Sequence, residues 1–479
     1  MSDPNDHKNA TIALLIGATG SFLGNVNGSI INVLLPTISQ SFQRGIGDVA
    51  ILSLAFYLSQ TLTFFIAGRL CDVKSTRRIF LWGFGLHSLS TILCVFAPTL
   101  ELLAACRLIQ GVASALTIVT ASVAILRYVS TQKLGRAFGT ITLAASLGFV
   151  IGPAIGGFLL ELMHWRYVFL LICCLGMVSF CFTWFFYSDE VWERPLKVNP
   201  TSVLFSWLAI GSLFAVLIGL TRLGLGHPPV WIAVLLTCIN SWVFVSRCLH
   251  EKKPLLSIEI FRHFSLMAAL VGSLCNAMLF SGVIFALPFY LKFVRGFSDH
   301  QLGLPLMTAS LAGLVGSWLG GKLTDRWGAR QCSMPIVLAT VPFLIALTQV
   351  HETTTAVVLM ALFGWFGLCI IFYRTSSTTM IMSWAKRGEE GKLSAVRLLL
   401  PVLGNAFGVS IFALFFDNTT APTVESSSEI LGYFHQAAWF GLVIVVIQVI
   451  CTFWAASAPY KPTSRRPDTW KEGDSFLEY

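Results

Sequence analysis

Long runs of apolar residues alternate with short polar segments along the whole chain. A helix needs about 20 apolar residues to cross a bilayer core of about 30 Å, because each unpaired backbone group in lipid costs several kcal/mol. The runs therefore predict fourteen membrane-spanning helices, arranged as six, two and six. The expected spans lie near 11–36, 49–71, 79–98, 102–126, 137–160 and 167–187, then 202–221 and 229–247, then 264–291, 302–323, 333–350, 355–373, 394–416 and 434–456.

The composition agrees with this pattern and excludes a soluble protein. Hydrophobic residues make up 55% of the chain, charged residues only 11%, and the mean hydropathy is +0.76. A soluble protein carries about 25% charged residues. The twelve cysteines are scattered and form no Cys-x-x-Cys pair, which argues against a disulfide framework and a zinc site. The predicted fold class is an all-α polytopic membrane protein with fourteen helices, and neither a metal nor a cofactor is expected.

The net charge of +9 comes from lysines and arginines that cluster in short loops between the apolar runs. This distribution follows the positive-inside rule and differs from the basic stripe with exposed aromatic residues that binds nucleic acid. It predicts that both termini are cytoplasmic, and the short termini favour a bacterial cytoplasmic (inner) membrane. The lipid bilayer is thus an expected partner and nucleic acid is not. A periplasmic adaptor is compatible with a two-membrane cell, although nothing in the chain encodes one.

One loop sequence occurs twice. Gly68-Arg69-Leu70-Cys71-Asp72 recurs as Gly321-Lys322-Leu323-Thr324-Asp325 at an offset of 253 residues, and the same offset relates Arg77 to Arg330. Each copy follows the second helix of a six-helix group, which predicts two parallel six-helix halves with a site at their interface. The expected organisation is a cytoplasmic N-terminus (1–10), a first bundle (11–187), a linker with two additional helices (188–262), a second bundle (263–457) and a cytoplasmic tail (458–479).

Four motifs give the chain a resemblance to a known family. They are the two loop motifs (Gly68, Leu70, Asp72, Arg77, Arg78; Gly321, Leu323, Asp325, Arg326, Gly328, Arg330), Arg107-Leu108-Ile109-Gln110-Gly111, Gly148-x-x-x-Gly152-Pro153-Ala154-Ile155-Gly156-Gly157, and the first-span segment from Asn27 to Pro36. Together they resemble the major facilitator superfamily, specifically its 14-helix drug:proton antiporter branch. The resemblance implies a secondary transporter that works by alternating access, with small amphipathic molecules as its substrates.

The two loop motifs are interpreted as a conformational latch. Their glycines are expected to let two helices meet closely, and their charged residues to pair with each other or with a helix end in one conformation and to separate in the other. The residues concerned are Gly68, Asp72, Arg77, Arg78, Gly321, Asp325, Arg326 and Arg330. The alternative is solvated topogenic charge, which explains the arginines but not the repeat. Ser75 stands where the family has a glycine in the first copy.

Arg107 lies well inside the fourth span, where an unpartnered guanidinium costs at least about 2.5–3.5 kcal/mol. Gln110 follows three residues later, so both polar groups share one face of the helix. In the family the matching arginine contacts the first helix and is implicated in proton coupling, and the resemblance implies the same role here. The alternative is an arginine anchored to backbone carbonyls for packing alone.

Glycines and a proline on the fifth span are interpreted as a hinge. Small residues four positions apart let helices approach, while a proline bends the span and frees a carbonyl. The hinge residues are Gly148, Gly152, Pro153, Gly156 and Gly157. The pattern resembles the signature of the exporters in this superfamily, which favours export over uptake.

The first span departs from the family at one position, because Asn27 stands where the antiporter branch usually has an aspartate. Proton coupling needs a group that gains and loses a proton within the membrane, and no predicted span contains a carboxylate. Asn27 and Asn32 are the polar first-span positions considered for coupling. His87, near the middle of the third span, is the deep titratable alternative. Packing is the favoured role for His87, since this span tends to lie away from the cavity.

An interior without carboxylates favours neutral or anionic amphipaths over cationic ones. The candidate cavity residues are Asn25, Tyr57, Gln60, Asn276, Phe280, Tyr290 and Asn405. Each aromatic residue among them could instead face lipid. Arg374 and Arg397 fall near cytoplasmic ends of spans, where snorkelling to the membrane surface is the ordinary explanation. Lys292 stands where the family usually has a glutamine.

Two transport hypotheses follow. The resemblance favours a proton-coupled exporter of amphipathic drugs or metabolites, whereas Asn27 favours a gradient-independent facilitator or an anion-linked exchanger. An enzyme is not expected, because the spans contain no paired carboxylates, no histidine cluster and no nucleophile–base pair. The chain also lacks a Walker-type Gly-x-x-x-x-Gly-Lys loop, which argues against direct ATP drive.

Overall fold

The computed structural model describes residues 4–128, 134–188, 200–224, 226–250, 263–382, 384, 390–416 and 427–457. All regular secondary structure within these ranges is helical. The α-helices are α1 (Pro4–Phe42), α2 (Ile46–Val49), α3 (Ile51–Val73), α4 (Thr76–Val95), α5 (Leu100–Tyr128), α6 (Leu134–Leu162), α7 (Trp165–Phe186), α8 (Pro200–Leu223), α9 (Pro228–His250), α10 (Phe264–Phe289), α11 (Asp299–Trp327), α12 (Ala329–Leu338), α13 (Val341–Leu347), α14 (Ala356–Met382), α15 (Glu390–Ala413) and α16 (Ser427–Ser457). Fourteen helical segments among the described residues are long and apolar enough to cross a membrane, which confirms the predicted fold class.

Two spans differ in shape from the sequence expectation. The predicted span 333–350 consists of α12 and α13, which are separated by a break at Ala339 and Thr340. Pro342, at the start of α13, has no backbone N–H and cannot donate to the turn before it. The predicted span 355–373 continues as α14 to Met382, well beyond its expected end.

The two six-helix groups pack in the same way. In the first group α1 packs on α6, α3 on α5 and α4 on α7; in the second, α10 packs on α15, α11 on α14, and both α12 and α13 on α16. A Cβ atom on Gly148 of α6 would collide with the Phe22 carbonyl of α1, and one on Gly408 of α15 with the Met278 carbonyl of α10. The sequence repeat thus corresponds to a repeat in helix packing. We call α1–α7 the N half and α10–α16 the C half.

The halves meet along three helix pairs: α6 with α11, α3 with α15, and α1 with α10. We call the end of the bundle that carries the two loop motifs the motif end, and the other end the distal end. Near the distal end, Lys292 Nζ donates to Thr37 Oγ1 over 2.9 Å, and Gly303 of α11 lies directly against the backbone of α6. Midway along the helices, the ring centroids of Phe149 and Phe280 are 5.2 Å apart.

The inserted pair, α8 and α9, is attached through α8 to both halves. Trp207 Nε1 of α8 donates to the Leu62 carbonyl of α3 over 3.1 Å. Ser410 Oγ of α15 donates to the Leu217 carbonyl of α8 over 2.9 Å. Helix α9 packs on α8, and its Trp242 is 72% exposed on the outer surface. The pair therefore lies beside the interface of the halves, and α8 contacts the elements on either side of it.

Candidate functional site

A buried arginine network joins α1, α3 and α5. Arg107 has no exposed surface. Its Nη1 donates to Asn27 Oδ1 over 2.8 Å and to Gln110 Oε1 over 2.7 Å, and its Nε donates to the Leu52 carbonyl over 3.3 Å. The guanidinium also lies over the Phe56 ring, 4.6 Å from its centroid. Neutral acceptors and an aromatic face thus stabilise this buried charge, and three residues singled out from the sequence come together.

Gln110 extends this network to α4. Its Nε2 donates to Thr91 Oγ1 over 3.2 Å and to Cys94 Sγ over 3.3 Å, and Thr91 Oγ1 donates to the His87 carbonyl over 2.6 Å. The His87 side chain is buried against Gly176 of α7, and its Nε2 has no hydrogen-bond partner among the described residues. Because α4 and α7 pack together inside the N half, this position favours packing over a proton relay for His87.

The other amide side chains singled out from the sequence of the N half, Asn25, Gln60 and Asn32, lie within that half. Asn25 Nδ2 donates to the Ser21 carbonyl over 2.8 Å, one turn earlier on α1. Gln60 Nε2 of α3 donates to Ser114 Oγ of α5 over 3.1 Å. Asn32 is 7% exposed. Two of these three amides therefore already contribute to packing within the N half.

Tyr57, Phe280 and Arg374 lie where the halves face each other. Tyr57 of α3 is partly exposed and within electrostatic range of both Arg107 and Arg374. The Arg374 Cζ atom of α14 lies 5.9 Å from the ring centroid of Phe280 on α10. The Phe280 ring in turn contacts Phe149 of α6. This group combines aromatic faces from both halves with an arginine from the C half.

The remaining candidates of the C half separate into two kinds. Asn276 Nδ2 and Asn405 Oδ1 are buried atoms without a hydrogen-bond partner among the described residues, so they are available to a ligand. Tyr290 is fully buried; its ring stacks on Phe434 with centroids 4.7 Å apart, and its hydroxyl donates to the His351 carbonyl over 3.0 Å. The expectation that Tyr290 lines a substrate cavity is thus corrected, because its ring and its hydroxyl are both occupied inside the C half.

The expectation that Arg374 snorkels to the membrane surface is also wrong. Since α14 continues to Met382, Arg374 lies about 12 Å before the end of the helix at 1.5 Å per residue. A helical side chain leans toward the N-terminus of its helix, which for α14 is at the distal end. Arg374 therefore points toward the middle of the bundle, where it meets Phe280. A correct estimate of the end of this span would have revealed the residue from the sequence.

The loop motifs do not show the close helix approach expected of their glycines. A Cβ atom on Gly68 or on Gly321 would meet nothing within 4 Å, so neither glycine is required by packing in this conformation. Arg77 Nη2 donates to the Trp184 carbonyl near the end of α7 over 2.7 Å. Arg78 and Arg326 are exposed, and Arg330 is partly exposed. The side chains of Asp72 and Asp325 lie outside the described residues.

The turns after the two loop motifs differ in a way that explains their sequences. Gly328 adopts φ +88° and ψ 147° at the start of α12, a conformation that side chains rarely permit. Its counterpart at the offset of 253 is Ser75, which has φ −64° and caps α4 by accepting a hydrogen bond from the Arg78 N–H. The serine is therefore compatible with its turn, which does not need a glycine.

The proposed hinge segment lies between α1 and α11. A Cβ atom on Gly152 would collide with Ser29 Oγ, and one on Gly156 would come within 2.7 Å of Ile30 Cγ1. Gly148 contacts α1 in the same way, and Gly157 is buried. The Pro153 carbonyl lies against Gly303 of α11. Helix α6 therefore packs closely against α1 of its own half on one side and against α11 of the other half on another side.

Carboxylates with described side chains lie at helix ends or in turns. They are Asp48, Glu101, Glu161, Glu352 and Glu429. The ion pairs among the described residues join Arg44 to Glu101 at 3.6 Å and Arg222 to Asp48 at 3.4 Å, both at the distal end. The described part of the chain also contains no cluster of three or more His, Cys, Asp or Glu residues suited to a metal. The described interior is therefore cationic and polar rather than acidic.

Twelve spanning helices in two similarly packed halves, an inserted helix pair and a polar group between the halves are the architecture of a secondary transporter. The sequence model of the Major Facilitator Superfamily matches residues 17–409, with a second match over 269–478. The chain belongs to the major facilitator superfamily, and it resembles the 14-helix drug:proton antiporter branch.

Known proteins resemble the chain over most of its length. The multidrug resistance protein Stp of Mycobacterium tuberculosis is 25% identical over 426 residues, which cover 86% of this chain and 78% of Stp. A bacterial homolog of the human lysosomal transporter Spinster, crystallised in an inward-facing and unoccupied conformation, has a TM-score of 0.70 at 15% identity and covers 95% of this chain and 98% of its own. The human organic anion transporter MFSD10 has a TM-score of 0.58 at 15% identity, with coverages of 93% and 100%. The two structures share the fold.

Proposed function

We propose that the protein exports small amphipathic compounds, neutral or anionic, across a bacterial cytoplasmic membrane with both termini in the cytoplasm. The sign of the interior charge carries this proposal. Arg107 is fully buried and Arg374 lies against Phe280 between the halves, whereas the described carboxylates lie at helix ends. An interior of this sign attracts anions and disfavours cations. The name of Stp, a multidrug resistance protein, supports drug-like substrates.

The proposed cycle is alternating access of the two bundles (11–187 and 263–457), with the linker pair in 188–262 beside their interface. Helix α6 would act as the hinge, because it is the element packed against both α1 and α11. The loop motifs would form the latch at the motif end. The free space around Gly68 and Gly321 supports this role, since it leaves room for another helix to approach in a second conformation.

The proton gradient is the proposed energy source, with the Arg107–Asn27–Gln110 network as the coupling site, in keeping with the resemblance to the antiporter branch. The contact of Arg107 Nη1 with Asn27 Oδ1 at 2.8 Å favours a second candidate. An amide carries no titrating proton at physiological pH, so this pair cannot exchange a proton as an aspartate could. The second candidate is therefore a gradient-independent facilitator or an anion-linked exchanger.

Flux through proteoliposomes tests the function and separates the two candidates. The probe is radiolabelled 4-butylbenzenesulfonate, an amphipath that stays anionic at every working pH; its uncharged sulfonamide and the 4-butylphenyltrimethylammonium cation are the comparison compounds. Proton coupling predicts flux that follows an imposed pH gradient and falls to the leak rate with a protonophore. The second candidate predicts counterflow that is unchanged without a gradient. Flux equal to that of protein-free liposomes for all three compounds would contradict the proposed function.

The substitution Asn27→Asp sharpens this test. It places a carboxylate beside the Arg107 guanidinium, so the response of flux to the pH gradient should increase if this position governs coupling. Asn32→Asp is the matched control, because it adds the same charge to the same helix away from Arg107. If Asn27→Asp leaves both the flux and its response to pH unchanged, the position does not determine coupling.

A further inference from the structure

Two arginines of the C half influence each other electrostatically, and neither has an acidic partner among the described residues. Arg374 of α14 and Arg397 of α15 lie within electrostatic range of one another. The Nε atom of Arg397 is buried and has no hydrogen-bond partner among the described residues. Two like charges within electrostatic range repel each other, and an anion between them relieves the repulsion. The pair is therefore suited to a negatively charged group.

Residues from both halves surround the Arg374 guanidinium. The Phe280 ring lies beneath it, and Tyr57 of the N half lies within electrostatic range. Arg374 is partly exposed while Phe280 is buried, so the guanidinium retains access from outside although its Cζ lies 5.9 Å from the ring centroid. The planar guanidinium carries five N–H donors, and no described hydrogen bond uses them. Those donors suit a planar or tetrahedral oxyanion.

A continuous aromatic surface extends from the arginine across the interface. Phe280 lies 5.2 Å from Phe149 of the N half and 6.3 Å from Phe366 of α14. Phe366 in turn stacks on Phe343 at 4.4 Å. Phe366 and Phe343 are buried and support the Phe280 ring from within the C half, whereas Phe149 is partly exposed and offers apolar contact to a hydrophobic body attached to the anionic group.

We propose that Arg374 and Arg397 form the head-group site for an amphipathic organic anion, with its sulfonate, carboxylate or phosphate on the two guanidinium groups and its apolar body on Phe280 and Phe149. The site rests on the proposed export function and specifies its substrate class. Its two arginines belong to the C half, and the site is separate from the Arg107 network, whose hydrogen bonds are made within the N half. An anionic lipid headgroup offers the same chemistry, so the test distinguishes the two sources.

Ligand-dependent thermal unfolding of the purified full-length protein tests the site. In phosphatidylcholine nanodiscs, 4-butylbenzenesulfonate should raise the melting temperature more than its uncharged sulfonamide, and the trimethylammonium cation should have no effect. Arg374→Gln should require about tenfold or more sulfonate to reach the same rise in melting temperature, because a hydrogen bond to a charged group is lost. Its response to the sulfonamide should remain. Arg397→Gln should show a smaller change of the same kind.

Arg247→Gln is the matched control. Arg247 lies on the peripheral helix α9, and its Cζ is 4.9 Å from the Phe205 ring centroid. It is therefore an arginine near a phenylalanine, as Arg374 is near Phe280. Its replacement should leave the sulfonate response unchanged. Arg374→Lys, which keeps the charge but not the planar stacking, should give an intermediate response and serves if Arg374→Gln does not fold. Equal wild-type responses to all three probes, or no response to any, would overturn the site. An unchanged sulfonate response in Arg374→Gln would also overturn the site. If Arg374→Gln does not fold, an unchanged response in Arg374→Lys would overturn it.

Two further outcomes separate this site from its alternatives. If adding one fifth phosphatidylglycerol to the nanodiscs abolishes the sulfonate response, a lipid headgroup occupies the arginines and the assignment to a small amphipath is overturned. If flux is observed but the sulfonate response does not depend on Arg374, the site fails and the export function stands. If the sulfonate response depends on Arg374 but no probe is transported, the export function fails and the site stands.

Discussion

The interiors of the two halves differ although their helices pack alike. In the N half, the Arg107 guanidinium donates to Asn27 and Gln110 and lies over Phe56. In the C half, Arg374 has an aromatic ring on one face and a second arginine nearby. Amide atoms of Asn276 and Asn405 are buried there without partners among the described residues. The described hydrogen bonds of Arg107 and Gln110 join helices within the N half, whereas the Arg374 side chain makes no described hydrogen bond. Buried polar atoms without a described partner occur in both halves, among them Asn27 Nδ2 and His87 Nε2 in the N half.

This difference distinguishes residues whose hydrogen bonds stabilise the fold from residues whose polar groups can bind a ligand. A satisfied buried network is rigid and costly to disturb, because each group that loses its partner is left desolvated. A buried polar group without a partner destabilises the folded protein, and a ligand that supplies the missing hydrogen bond relieves this cost. We therefore expect the Arg107 network to keep its arrangement during transport, and the groups around Arg374 to contact the substrate.

The largest predicted effect concerns Arg107, whose hydrogen bonds join α1, α3 and α5. Arg107→Gln should lower the melting temperature strongly and abolish flux, since a shorter neutral side chain cannot reach the acceptors on α1 and α3. Each acceptor left unpaired should cost about 1–3 kcal/mol. Thermal unfolding and proteoliposome flux measured on the same preparation check this expectation.

Replacement of an arginine by glutamine in the C half, Arg374→Gln, is the control for Arg107→Gln. Arg374→Gln without ligand should melt at or above the wild-type temperature, because it removes a repulsive charge and breaks no described hydrogen bond. The comparison between the halves would be wrong if Arg374→Gln destabilised the protein as much as Arg107→Gln does.

A smaller effect is predicted where glycines allow helices to touch. Gly148→Ala and Gly408→Ala should each lower stability by about 1–3 kcal/mol, since each new Cβ atom would collide with a carbonyl of the neighbouring helix. If α6 is the hinge, Gly148→Ala should also reduce flux more than Gly408→Ala does at equal loss of stability. Equal reductions of flux would remove the distinction between α6 and α15.

Gly68→Ala is the control for these two variants. No atom lies within 4 Å of its added Cβ, and alanine is favoured over glycine inside a helix by up to about 1 kcal/mol. Its melting temperature should stay the same or rise slightly. Reduced flux at unchanged stability would show that the latch requires close approach in another conformation, and unchanged flux would argue against that latch.

Much of the fold and part of the site followed from the sequence. The fourteen spans were predictable because apolar length is the dominant requirement in lipid. Contact of Arg107 with the first helix was implied by the family resemblance, and the need of a guanidinium inside a span for polar partners agrees with it; Asn27 as the partner was not predicted. The three-residue spacing of Arg107 and Gln110 placed both groups on one face, as the 2.7 Å contact between them shows.

The C half was less predictable because its function depends on where helices end. Hydropathy falls before α14 ends at Met382, so Arg374 was assigned to the membrane surface although it lies inside the bundle. Tyr290 was assigned to the cavity because its residue type suits a ligand, but its ring and hydroxyl are used in packing. Which face of a helix meets its neighbour is a tertiary property that residue type alone does not determine.

The smallest predicted effect compares the two turns related by the sequence repeat. Gly328→Ser should cost about 1–3 kcal/mol, because a side chain at φ +88° and ψ 147° strains the backbone. Ser75→Gly, the reverse change in the other half, should cost only a few tenths of a kcal/mol, because a glycine is nearly as good an N-cap as serine. Thermal unfolding of the two variants and of the double exchange measures this asymmetry. If the two single variants lost equal stability, the turns would be equivalent despite their sequences, and the difference between the halves would be confined to their polar interiors.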